Sequence, residues 1–393
     1  MTGSRLAAGR IASIDIIRGA VMVLMAVDHV RVYAGVPPGG PDPAVFFTRW
    51  ITHFCAPAFF FLAGTSAFLA GQRTDKPSLS RFLAVRGLLL VLLELTLIRV
   101  SWTFNFDYAN YMLAGVIWSL GWCMVILALL VRLPLGLVAA TGVAIIAGHN
   151  LIDPHFREWS EAAQASPLGW LWQVLYFGGA FRLFGSGPPL IILYSLVPWI
   201  GVMAAGYAFG WVMLQDPARR DRLCLSIGLG GTLLFLVLRG FNLYGNPLPW
   251  GGPNSPLPPL LSFLNTNKYP ASLLFLMMTL GPTIALIPLL ERARGAVARW
   301  LTIFGRVPLF YYLLHIPLIH LVAVLISMVR TPHDTAWLFT NHPMMPPDVP
   351  AGYRWSLGLL YGVTLIVVVI LYFPCRWFAE KKAAGVHPLL RFL

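Results

Sequence analysis

Ten apolar runs dominate the chain, at 11–33, 48–70, 83–104, 111–132, 134–149, 189–214, 222–239, 270–290, 303–328 and 355–377. Most are about 20 residues long, enough for a helix to cross a hydrocarbon core roughly 30 Å thick. They are continuously apolar and lack the alternation of barrel strands, so only helices satisfy their backbone groups in lipid. Just 11% of the 393 residues are charged and 58% are hydrophobic, where a soluble globular domain carries about 25% charged residues. The expected fold is an all-α integral membrane protein, a polytopic bundle of about ten transmembrane helices that forms one domain over 1–393.

The connecting segments fall into two sets. Those at 1–10, 71–82, 133, 215–221, 291–302 and beyond 377 hold most of the basic residues, among them Arg73, Lys76, Arg81, Arg219, Arg220, Arg292, Arg294, Arg299, Lys381 and Lys382. The positive-inside rule puts this set, with both termini, on the cytoplasmic side of the cell (inner) membrane. The start MTGSRLAAGR has the look of a signal peptide, but a full-length apolar run without a cleavage site follows it, so it is expected to stay as the first span. A net charge of +13 then suits anionic lipid and calls for no nucleic acid.

The opposite loops, at 34–47, 150–188, 240–269 and 329–354, are rich in Pro, Gly, Trp and Asn. Long loops without regular structure of their own usually carry function, so a site is expected on the extracytoplasmic face. Trp159, Trp170, Trp172, Trp250 and Trp337 there suit stacking on a sugar, and equally suit a membrane interface. Cys55, Cys123, Cys224 and Cys375 are scattered one to a span, with no metal-ligand or redox spacing.

The first run, SIDIIRGAVMVLMAVDHVRVYAG, holds Asp15, Arg18, Asp28, His29 and Arg31. At about 100° per residue, and with Asp15 at zero, His29 falls near −40°, Arg18 near −60° and Asp28 near −140°. Asp15, Arg18 and His29 therefore share one stripe, flanked by Asp28 and reaching ~15 Å along the axis from Arg18 to Asp28. Such groups cost ~2.5–3.5 kcal/mol each at a span centre, so they are expected to face the bundle interior or a watery passage. Asp15 and Arg18, three apart, also suit a simple ion pair. Asp28 beside His29 suits acid–base work, although neighbours on a helix do not face one another and are better placed to act on a shared third group.

Span two, TRWITHFCAPAFFFLAGTSAFLAG, brings His53 to a similar depth. Its small residues Ala56, Ala58, Ala63, Gly64, Thr65, Ser66 and Ala67 admit close approach of a helix or an extended ligand. Glu94 and Arg99 lie in span three, Arg239 ends span seven, and His315 and His320 lie in span nine. Intramembrane ionisable groups are functional candidates, with a hydrogen-bonded structural role as the competing reading.

These blocks together resemble the transmembrane acyltransferases typified by the catalytic domain of heparan-alpha-glucosaminide N-acetyltransferase, particularly its short bacterial relatives. The resemblance rests on SIDIIRG continuing to LMAVDH, APAFFFLAGTS, VPWIGVMAAGYAFG, NKYPAS at 267–272 and GRVPLFYYLLH at 305–315, which are spread over most of the chain. It implies that acetyl-CoA or another cytoplasmic acyl-CoA donates an acyl group to an extracytoplasmic sugar hydroxyl or amine. Read together with the residues above, it leaves Asp28, His29 and His53 as catalytic candidates, Asp15 and Arg18 toward the donor and Arg239 toward the substrate, while Asn267, Lys268, Ser272 and His315 match its blocks and are expected toward the acceptor or the reacting carbonyl. In the family an amide stands where His29 stands, and a histidine of the next extracytoplasmic loop is the proposed base. The corresponding loop, AGVPPGGPDPAVFF, has no histidine, which leaves His29 or His53 for that role.

The implied partners are membrane lipid, the acyl-CoA donor and an extracytoplasmic carbohydrate or amine, with a homo-oligomer left open and no metal expected. No covalent nucleophile stands out, so direct transfer is expected over a ping-pong route. The rival readings are a proton-coupled transporter or flippase that uses the same stripe as a relay, and a scaffold whose polar groups only hold helices together.

Overall fold

The structure, a computed structural model, describes residues 11–252, 255–341 and 349–385. The basic start at 1–10 and the end of the tail lie outside these, as does part of the loop at 329–354. The chain is mostly helical. Its first half comprises α1 (Ala12–Tyr33), α2 (Pro43–Trp50), α3 (Cys55–Gly71), α4 (Lys76–Leu93), α5 (Arg99–Thr103), α6 (Val116–Leu130), α7 (Leu135–Gly148), α8 (Phe156–Gln164) and α9 (Gly169–Trp172). The second half comprises α10 (Leu196–Met213), α11 (Pro217–Gly240), α12 (Pro259–Leu264), α13 (Leu273–Ala285), α14 (Ile287–Glu291), α15 (Ala296–Arg306), α16 (Pro308–Arg330) and α17 (Leu357–Ala383).

Among the described residues, seven helical segments are long and apolar enough to cross a membrane: 43–71, 135–164, 196–213, 217–240, 273–291, 308–330 and 357–383. The first helix, α1, carries Asp15, Arg18, Asp28 and Arg31 and does not qualify by composition, yet most of its length is buried. Conversely, α11 and α17 turn rows of apolar side chains outward, such as Leu229, Leu233, Leu236, Leu365, Ile366 and Phe373. That arrangement is stable against lipid and costly against water.

Several sequence expectations change in detail. The loop at 150–188 is not irregular: it holds α8, α9 and the strand β2 (Gly179–Arg182). The runs expected as spans from 111 and 189 begin as strands, β1 (Met112–Ala114) and β3 (Pro189–Ile192). These form one sheet in the order β1-β3-β2, with Ala114 opposite Ile192 in the parallel pair and Phe181 opposite Leu190 in the antiparallel one. A short apolar run reads alike as strand or helix, and here three such pieces satisfy one another's backbone. The segment at 291–302 is likewise not a loop, since α15 begins at Ala296 and its chain breaks at Val307 before α16 starts on Pro308.

Glycines set the closest helix approaches. A Cβ on Gly64 of α3 would stand 2.1 Å from the Met203 carbonyl oxygen of α10, and one on Gly206 of α10 would stand 2.1 Å from that of Phe61. The same reciprocity joins α1 to α15: Gly19 faces the Leu301 carbonyl and Gly305 faces that of Asp15, at 1.9 and 1.8 Å for an added Cβ. A carbonyl can come this close only to a residue that has no side chain, the small-residue packing of membrane helices.

Candidate functional site

The tight contact of α3 with α10 runs through Gly64 and Thr65, whose hydroxyl donates to the Gly206 carbonyl at 2.9 Å, and leaves a second face of small residues turned elsewhere. Ala63, Ser66, Ala67 and Ala70 line a cavity of about 510 Å³, closed by α1, α4, α6 and the start of α16. One face of the small-residue run thus takes a helix, and the other borders an open space. Arg18, Arg86, Arg306 and Lys382 also line the cavity, and among the described residues no acidic side chain does. The Arg18 guanidinium donates to the Leu62 carbonyl at 2.9 Å and to the Ser66 hydroxyl. Asp15 does not line this space; it is buried, with its backbone against Gly305 of α15.

Tyr312 joins the cavity to a second group of polar residues. Its side chain lines the space, its ring lies edge-on to His29 at 6.2 Å, and its carbonyl accepts from His315 Nδ1 at 2.7 Å. The neighbouring Tyr311 carbonyl also faces that nitrogen, at 3.2 Å. Carbonyls only accept, so Nδ1 of His315 carries the proton, and in a neutral ring Nε2 is then an acceptor. His29 Nδ1 lies 2.7 Å from that Nε2 and is therefore the donor. By elimination, Nε2 of His29 is left as the lone pair, the state a general base requires.

Asp28 turns away from its neighbour. One carboxylate oxygen accepts from Arg31 Nε and the other from Arg49, each at 3.0 Å, while its side chain keeps 18% of its surface accessible. The group that orients His29 is thus His315, and Asp28 instead gathers two guanidinium groups. His53, on the turn Ile51–Phe54, is buried; among the described residues its Nδ1 has no hydrogen-bond partner, and its ring meets Phe275 edge-on.

The NKYPAS stretch supplies the remaining face. Asn246 Oδ1 accepts from Asn267 N at 2.8 Å and from the Ser272 hydroxyl at 3.1 Å, and Asn267 Nδ2 donates to the Pro270 carbonyl at 2.9 Å. Ser272 also caps α13 by accepting from Phe275 N. Asn267 and Ser272 therefore hold the loop, and Lys268 is the side chain the loop presents. Lys268 is buried, with its ammonium 5.3 Å from the Tyr269 ring centre and 5.9 Å from that of Tyr194. Burial pushes its pKa down and the Arg49 guanidinium adds to this, opposed by Tyr269 and Asp28. His29 and His53 also lie within its electrostatic reach.

Arg239 stands further off. Its guanidinium donates to the carbonyls of Phe263, Leu248, Ser262 and Asn265 at 2.8–3.0 Å, so it anchors the long loop that leads to Lys268. Arg99 does the same for the preceding loop, donating to Tyr111, Asn105 and Asp107 carbonyls. Glu94 accepts from Ile117 N at the start of α6, and His320 is enclosed between Phe104 and Tyr33. Trp159, Trp170 and Trp172 stay exposed, whereas Trp337 is buried and Trp250 donates to the Arg239 carbonyl.

The structure therefore brings Asp28, His29, His53, Lys268 and His315 together and sets Arg18 at the basic cavity. Sequence reasoning missed Arg49, Asn246, Tyr269 and the cavity cations Arg86, Arg306 and Lys382. Arg49 carried a signal in its place, a lone cation opening an apolar run. Among the described residues no three His, Cys, Asp or Glu side chains converge as a metal site.

The arrangement gathers an imidazole nitrogen with a lone pair, a cavity whose charged lining is basic, and further cations around Asp28. Comparison with curated proteins finds no match. Residues 10–241, which include α1 with its His29 but stop before Lys268 and His315, match the family model described as heparan-alpha-glucosaminide N-acetyltransferase, catalytic. The chain, a multi-pass membrane protein, belongs to that transferase family.

Proposed function

We propose that the protein is a membrane-embedded acyltransferase that moves an acyl group, in the first instance acetyl, from cytoplasmic acyl-CoA to an extracytoplasmic sugar hydroxyl or amine. The observation that carries this reading is the His29–His315 hydrogen bond, joined through Tyr312 to a cavity whose charged lining among the described residues is wholly basic. In this reading α1, α4 and α6 join the seven apolar segments to make about ten spans, with both termini cytoplasmic. The cavity then opens on the cytoplasmic side, where α15 ends at Arg306 and the last turn of α17 carries Lys382.

Arg18, Arg86, Arg306 and Lys382 hold the phosphates of the donor, and the apolar wall formed by Met22, Phe59 and Leu90 receives its pantetheine arm. Asp15 acts by packing α1 on α15, which sets the position of Arg306. His29 Nε2 takes the acceptor proton as the oxygen or nitrogen attacks the thioester carbonyl. The carbon–sulfur bond then breaks, and the imidazolium returns its proton to the leaving thiolate. His315 keeps the ring in the tautomer that permits this, while Lys268 and His53 face the acceptor. Asp28 with Arg49, and Asn267 and Ser272 with Asn246, fix those groups; Arg239 holds the loop behind them.

A sided assay tests this directly. Vesicles containing the purified protein receive labelled acetyl-CoA on one face and a sugar or amine acceptor on the other. Labelled product on the acceptor side, with free thiol on the donor side, is expected. Movement of unmodified acceptor without thiol release would replace this reading with the transporter one.

A further inference from the structure

The outer cluster is not balanced in charge. Arg31, Arg49 and Lys268 surround one carboxylate, that of Asp28, and both of its oxygens are already held by the two arginines. Lys268 thus stands 92% buried with two tyrosine faces beneath its ammonium, and the carboxylate that acts on it among the described residues, Asp28, is bonded to other cations. Aromatic faces attract a cation but accept no strong hydrogen bond from it. A buried ammonium is stable when an anion completes it.

A second, independent observation concerns His53. Among the described residues His53 Nδ1 is buried without a hydrogen-bond partner, although a buried polar atom is nearly always bonded. His53 and Lys268 come from distant parts of the chain and lie within electrostatic reach of each other, with Arg49 near both. Asp28 and Arg49 keep 18% and 12% of their side-chain surfaces accessible, so the cluster is reached from outside at these two residues.

We infer that this cluster is an anion seat that selects an acidic acceptor, one whose carboxylate or phosphate binds between Lys268, Arg49 and His53 while its hydroxyl or amine meets His29. The acceptor part of this inference rests on the acyltransferase reading, whereas the seat itself does not. A uronate-type sugar and a sugar phosphate share the required chemistry. Tyr269 and Tyr194, which flank the ammonium, cover the apolar side of a sugar ring bound there.

The test reads binding and turnover separately. Melting temperatures of the detergent-solubilised protein are taken with glucose, glucuronate and glucose 6-phosphate at matched ionic strength, and with acetyl-CoA alone. At least one acidic sugar is expected to raise the melting temperature where glucose does not, and the two acidic probes separate carboxylate from phosphate. Lys268→Met removes that difference and Lys268→Arg keeps it, with the ligand-free melts showing that both variants fold. Thiol release from acetyl-CoA should show a KM at least tenfold lower for the preferred acidic sugar than for glucose. Equal shifts from all three sugars, no shift from any, or an acidic preference that survives Lys268→Met would overturn the seat. Loss of the acetyl-CoA shift alone, with the anion preference intact, would instead remove the acyltransferase reading and leave the seat standing.

Discussion

His29 and His315 are 286 positions apart in the chain, yet Nδ1 of the first lies 2.7 Å from Nε2 of the second, with the rings stacked at 4.8 Å. The bond ties α1 to α16 and, through the Tyr312 carbonyl, settles which nitrogen of His29 has a lone pair. Replacing His315 with phenylalanine keeps the ring stack but removes the acceptor. The expected result is a fall in kcat of ~10²-fold or more, within the ~10²–10⁴ typical of general base catalysis, while the Kd for acetyl-CoA stays within about twofold. A matching rise in that Kd would mean that His315 serves donor binding instead.

The basic cavity leads to a prediction about the donor's phosphates. Arg86→Ala and Arg306→Ala should each weaken acetyl-CoA binding by roughly tenfold or more, as expected for a charge-assisted hydrogen bond worth ~1.5–3 kcal/mol. Acetyl-pantetheine, which lacks the nucleotide phosphates, should bind wild type and variants alike. Equal losses for both donors in calorimetry would mean that these variants disturb the cavity wall and not a phosphate site.

Asn246 makes a more local prediction. Its Oδ1 accepts from both Asn267 N and the Ser272 hydroxyl, so Asn246→Ala frees the loop that presents Lys268. Acceptor KM should rise at least fivefold with donor binding unchanged, and the melting temperature should fall by the equivalent of about 1–3 kcal/mol for two buried groups left unpaired. A change in donor affinity would contradict this division of the site.

Helix packing offers a test that is independent of function. Gly19→Ala puts a methyl group 1.9 Å from the Leu301 carbonyl oxygen, so α1 and α15 must separate. Overpacking of this kind costs ~1–3 kcal/mol and should appear as a lowered melting temperature. Gly362→Ala, with nothing within 4 Å of the added atom, serves as the control and should melt no lower than wild type.

Much of the architecture was legible because lipid imposes one rule on every span: about 20 apolar residues in a helix. The stripe on α1 was legible for the same reason, since helical rotation alone gathers Arg18 and His29 on one side. Its partners were not, because the His29–His315 bond and the Arg49–Asp28 pair depend on how helices pack, and no local spacing encodes that. Asp28 beside His29 looked like a pair in the sequence; the helix turns them apart, and Asp28 meets Arg31 one turn on and Arg49 across the bundle. Pro189–Ile192 read as the start of a span because four apolar residues carry no period that separates strand from helix. The cavity was half legible, in that a run of small residues announced close approach without saying that Gly64 takes a helix while Ala63 and Ser66 border a space.

The most direct test is thiol release from acetyl-CoA by purified protein with a mixed panel of sugar and amine acceptors, comparing wild type with His29→Ala and His53→Ala. Acceptor-dependent release should fall by ~10²–10⁴-fold in His29→Ala, with folding and the acetyl-CoA melting shift retained, and should fall less in His53→Ala. Full release by His29→Ala, or none by wild type under conditions where acetyl-CoA leaves its melting temperature unchanged, would contradict the assignment of His29 as the base of an acyltransferase.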